Sequence, residues 1–205
     1  MPLELAALLA AIETSRAIVR EGAALVQTIR KGLSGRNEAV RAELTAKLQS
    51  IEERLASIGK VAEVAESYLR TYDNIGDLLS TSEELIQFVK DSGADLRDSR
   101  NAGYAPDWDR IASVYRRLGE DSEAPKKVML DRAEWYDDRD KIQIEGKLKE
   151  FSSAYDRAKG FVEGKKMDGV KSELEQMIRP LSEAHTLLSS TLYEQILPSL
   201  QRLKA

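Results

Sequence analysis

Leu5, Leu8, Ile12, Ser15, Val19, Gly22, Val26, Ile29 and Leu33 recur at alternating spacings of three and four. An α-helix turns once per 3.6 residues, so this rhythm gathers them on one stripe, and an apolar stripe must be covered by another helix. Leu9, Ala23 and Leu25 widen it toward a bundle face, while Ser15 and Gly22 are small where a partner helix must come close. Gly32, Ser34 and Gly35 stop the helix, and Asn37 is suited to cap the next one. A helical hairpin follows.

The rhythm resumes through Leu44, Leu48, Ile51, Leu55, Ile58, Ala62, Ala65, Leu69, Tyr72, Gly76, Leu79 and Ile86, with Glu83 as the one misfit. A helix over 38–90 would be about 80 Å long at about 1.5 Å per residue. Within it, Asp73, Asn74 and Gly76 weaken helix propensity, and Ser80 with Glu83 resembles a capping box, so 72–82 is the place for a break or kink. Lys90 to Gly93 reads as a helix end, and Ala94 to Ala105 as the longest loop. A short helix is predicted over 106–118, turning Trp108, Ile111, Val114, Tyr115 and Leu118 inward and closing at Gly119.

Val128, Leu130, Ala133, Tyr136, Ile144, Leu148, Phe151, Tyr155, Ala158 and Val162 predict a third long helix over 125–163. Val170, Leu174, Met177, Leu181, Ala184, Leu188, Leu192, Ile196, Leu200 and Leu203 predict a last one over 168–204, capped by Asp168 and bent at Pro180 and Pro198. The fold expected is all-α: a single domain over 1–205, an elongated antiparallel bundle of three to four long coiled-coil-like helices plus one short helix.

Composition narrows the function. With 42% apolar and 32% charged residues, the chain is too apolar for disorder and suits long, partly exposed helices. It has no cysteine, so disulfides, thiolate metal sites and cysteine nucleophiles are excluded. The net charge of −4 divides unevenly: +2 over residues 1–60, −8 over 61–140 and +2 over 141–205. No segment carries the basic excess that neutralises phosphates, which argues against nucleic acid. No Gly-x-Gly-x-x-Gly or Lys-Ser/Thr phosphate loop occurs. His185 is the only histidine and follows Ala184 on the apolar stripe of the last helix, with no Glu-x-x-His motif around it, so a structural role is expected. These observations predict a non-enzymatic protein without cofactor or metal.

The densest group of reactive side chains is Asp131, Glu134, Asp137, Asp138 and Asp140 around Trp135 and Tyr136. On an unbroken helix, Asp131, Glu134 and Asp138 would share one face, and a solvated or partner-facing acidic patch is the expectation. Trp108 and Tyr104 flank the long loop and join Asp131, Glu134, Asp137 and Asp138 as candidate partner-binding residues. The partner envisaged is another protein, basic where it meets the patch, or a second copy of the chain.

One alternative comes from the first helix, where Leu5, Leu8, Leu9 and Ile12 could leave the bundle and enter a bilayer surface. The longest charge-free apolar stretch there, Leu5 to Ile12, is far short of the about 20 residues of a membrane span. Glu4 without any preceding Lys or Arg does not fit a secretory leader, and a cytoplasmic location is expected.

Overall fold

The structure is a computed structural model that describes residues 3–33, 37–98 and 106–203, with the backbone alone for residues 3 and 93–98. No strand occurs among the described residues, and the chain is an all-α bundle. It groups into two compact units, one of Met1–Glu66 with Ser190–Ala205 and the other of Ser67–Ser189.

In the first unit, helix α1 (Leu3–Gly32) pairs with the leading part of α2 (Glu38–Asp98). Ion pairs Arg16–Glu66 and Arg30–Glu52 join them in descending order, so the two helices are antiparallel. Asn37 caps α2 as its sequence position implied, its Oδ1 accepting the Ala39 N–H at 3.1 Å. The small residues also sit where the stripe placed them. Ser15 is buried and donates to the Ala11 carbonyl at 2.8 Å, and a Cβ on Gly22 would lie 2.7 Å from the Leu55 side chain. Toward the hairpin turn the core thins to Val26, Leu33 and Leu48, while Ile29 and Ile51, both expected in the seam, are exposed.

This unit also holds α7 (Leu197–Arg202), which packs on α1. It is entered through a π-helical turn, Thr191–Ile196, in which the Leu197 N–H reaches back five residues to the Leu192 carbonyl. Pro198 therefore stands in the first turn of a new helix, where its missing donor costs nothing, and not inside an old one.

In the second unit, the remainder of α2 runs unbroken through 72–82 and on to Asp98, past the expected end at Gly93. The reason is register. Tyr68, Thr71, Ile75, Leu78, Ser82, Leu85, Val89 and Ser92 form the main buried line, one residue before the Leu69–Tyr72–Gly76–Leu79 line. On the latter, Tyr72, Gly76 and Leu79 are only half-buried, although Leu69 and, further on, Ile86 are buried too. On the main line Glu83 needs no excuse, because Ser82 occupies the seam and donates to the Leu78 carbonyl at 2.8 Å. Asp73 and Gly76 fall off the seam, so packing on the true seam overrides their weak propensity.

Around α2 stand α3 (Trp108–Asp121), α4 (Glu123–Asp131), α5 (Asp138–Glu163) and α6 (Met167–Ser190). Gly119 does not close α3; it lies within the helix, facing Tyr155. Pro180 stays inside α6 and is buried. Asp168 is in the first turn of α6, which begins one residue earlier, at Met167.

The long helix expected over 125–163 does not exist. A 3₁₀ turn, Ala133–Trp135, and three non-helical residues, Arg132, Tyr136 and Asp137, separate α4 from α5. The backbone leaves the helical region at Arg132 (φ −130°, ψ 31°) and again at Tyr136 (φ −98°, ψ 141°), so that the Tyr136 ring enters the core. The buried apolar positions on α4 are Pro125 and Met129, whereas Leu130 is 79% exposed.

Candidate functional site

The corner between α4 and α5 is built by tyrosines. Tyr136 donates its hydroxyl hydrogen to the Ser67 carbonyl at 2.7 Å. A phenol carries one hydrogen, so the second contact, 2.7 Å to Thr71 Oγ1, is the threonine donating to the phenolic oxygen. The Tyr136 ring lies 4.8 Å from that of Tyr68, whose hydroxyl donates to Asp140 Oδ2 at 3.0 Å and accepts the Asp137 N–H at 3.1 Å. Asp137 completes the corner as the cap of α5, its Oδ1 accepting the Arg139 N–H at 2.9 Å.

Burial pushes the Tyr136 phenol up to about 12, even though the Thr71 hydrogen bond works the other way by favouring the phenolate. Burial raises Tyr68 further, and the neighbouring Asp140 carboxylate adds to it. Both phenols stay neutral and hold their hydrogen bonds throughout the physiological range.

This latch turns α5 back beside α4, and between them lies a groove of about 410 Å³. Its floor is Met129 and Leu148, each 2% exposed. Leu130 forms one wall, and from α5 come Lys141, Glu145 and Lys149, facing Lys126 of α4. Ile142, 70% exposed, stands three residues from Glu145 and seven from Lys149, on the same side of α5. Leu130 and Ile142 are the two most exposed large apolar side chains among the described residues, and both belong to this corner. Lys126 is paired with Glu123 at 2.8 Å; among the described residues, the ammonium groups of Lys141 and Lys149 have no such partner.

The structure disperses the acidic residues that an unbroken helix would have aligned. Asp131 is the last residue of α4, Glu134 lies in the 3₁₀ turn, Asp137 is committed to capping, and Asp138 opens α5; all four are exposed. Among the described residues, no three acidic or histidine side chains converge as a cation site. Trp108 is half-buried at the start of α3, and Tyr104 lies outside the described residues. His185 stacks on Tyr72 with centroids 4.0 Å apart, and a Cβ on Gly76 would lie 3.3 Å from its Nε2. Burial lowers the His185 pKa, in keeping with a neutral stacking partner.

Of the four first-helix residues, Leu8 and Ile12 are buried in the first unit, Leu5 is half-buried and Leu9 is exposed. No helix among the described residues is long and apolar enough to cross a membrane.

The groove was not visible in the sequence because Leu130 fits the apolar rhythm of a long helix that is not formed. Ile142 was the available signal, an isoleucine that belongs to no stripe and lies between two charged runs. No family model, no curated protein and no solved structure matches this chain.

Proposed function

We propose that the chain is a non-enzymatic interaction module and that its docking surface is the α4–α5 groove, which receives an apolar helix face of another protein. The exposure of Leu130 in the wall of a recessed apolar floor, with Ile142 exposed next to the groove-lining Lys141 on α5, carries this reading. Bringing a large aliphatic side chain out of water is worth about 1.5–3 kcal/mol, so a fold that leaves two such groups exposed at one corner keeps binding energy in reserve. Helix-in-groove recognition draws on that reserve, with anchors from the incoming helix entering a preformed apolar floor. The acidic corner residues Asp131, Glu134 and Asp138 do not line the groove and act at the edge of this surface, not as its centre.

The membrane reading is the less economical one, since Leu8 and Ile12 would first have to abandon a packed core. A display selection tests the docking proposal. Helical peptides of about 16 residues, long enough for four turns, are selected on the full chain and counter-selected on a Leu130→Glu/Ile142→Glu variant. Both positions are exposed, so the variant should unfold at the same midpoint as the parent. The expected binders are amphipathic, and they shift backbone amide resonances of α4 and α5. Binders that hold parent and variant equally, or that map to α6 or α1, overturn the proposal.

A further inference from the structure

The groove described above also carries a charge pattern, and we infer that it selects an amphipathic helix whose apolar anchors are flanked by carboxylates. This rests on the docking reading and goes beyond it by naming the chemistry of the occupant. Three lysines, Lys126, Lys141 and Lys149, and a single acid, Glu145, line the groove. Among the described residues, Lys126 alone of the three has its charge answered, by Glu123. Lys141 and Lys149 lie eight residues apart on α5, about 12 Å along the helix, with Glu145 midway between them. Their ammonium groups stand on the rim of an apolar floor, where a carboxylate from a docked helix would be shielded from water by its own apolar face.

The opposite sign prevails at the corner end, where Asp131, Glu134 and Asp138 are each exposed, though on different elements. The surface is therefore polarised: basic along the groove, acidic at the turn. A helix with acidic flanks fits it with carboxylates over Lys141 and Lys149, and a basic residue at the end nearest the corner would fix its direction. Such like-charge and opposite-charge placement sets specificity and register more than raw affinity. The same acidic turn argues against an anionic lipid surface as the occupant, because a flat bilayer reaching Leu130 and Ile142 would also meet Asp131 and Asp138.

Three synthetic helices with one apolar stripe and with Glu, Gln or Lys in every flanking position are the probes. Each is titrated into the full chain at low and at high salt, with amide resonances of α4 and α5 as the readout. The Glu-flanked helix should bind about tenfold tighter than the Gln-flanked one at low salt, and the gap should shrink as salt is added. Lys141→Gln/Lys149→Gln should remove the gap, and Lys141→Glu/Lys149→Glu should invert the order of the Glu and Lys probes. Equal binding of the Glu and Gln helices in the groove defeats the charge inference and leaves the docking reading standing. If none of the three perturbs the groove, the docking reading fails and this inference falls with it. Binding to phosphatidylserine vesicles that depends on Leu130, Ile142, Lys141 and Lys149 would assign the surface to a membrane and overturn the inference as well.

Discussion

Replacing Tyr136 with alanine should lower the unfolding free energy by about 3–5 kcal/mol, the usual cost of deleting a buried aromatic ring. The ring fills space against Tyr68, and its hydroxyl is the acceptor for Thr71 and the donor to the Ser67 carbonyl. Tyr136→Phe separates these parts. It keeps the ring and removes the hydrogen bonds, so the loss should be about 1–2 kcal/mol. Urea unfolding of both variants measures the two terms, with the alanine variant also losing groove-dependent peptide binding because the corner is no longer held. A Tyr136→Ala midpoint close to that of the parent would show that the latch does not hold the corner.

Gly119→Ala should destabilise the chain by about 1–3 kcal/mol, the range for forcing extra atoms into a packed site. The same change in an open helix stabilises by about 0.5–1 kcal/mol, so the sign itself is diagnostic. A Cβ on Gly119 would collide with the Tyr155 hydroxyl and lie 2.7 Å from the ring carbon that bears it. The Tyr155 ring cannot easily withdraw. It is stacked flat on Tyr115, with centroids 4.3 Å apart and planes 2° apart, and each hydroxyl donates to the other residue's backbone carbonyl. Gly160→Ala is the matched control, since a Cβ there meets nothing within 4 Å, and it should raise the thermal midpoint. A Tyr155→Leu background, which vacates the space, should remove most of the Gly119→Ala penalty. A stabilising Gly119→Ala in the parent would contradict this packing.

The two substitutions show which level of the fold was readable from the chain. Helical class, the first hairpin, its Asn37 cap and the small residues Ser15 and Gly22 all follow from spacing, because one face of a helix records its burial directly. The register of α2 does not follow in the same way. Thr71 and Ser82 occupy seam positions and satisfy themselves by local or cross-helix hydrogen bonds, so a search for apolar residues slides to the next line. The corner at 132–137 is harder still. Nothing between Asp131 and Asp138 is a glycine or proline, and the break is set by tertiary contacts, namely the pull of Tyr136 into a pocket formed by residues about 65 positions away. Asp137 was legible as an acid but not as a cap, since its neighbours looked like the continuation of a helix.

The docking surface inherits that difficulty. Lys126, Leu130, Lys141 and Lys149 become one site only after the chain turns back on itself, and no linear motif joins them.

Backbone ¹³C chemical shifts across residues 123–163 test this turn most directly. The account predicts helical shifts over 123–131 and 138–163, separated by non-helical values at Arg132 and at Tyr136–Asp137. Uninterrupted helical shifts through that segment would mean that α4 and α5 are one rod, leaving no groove to receive a partner.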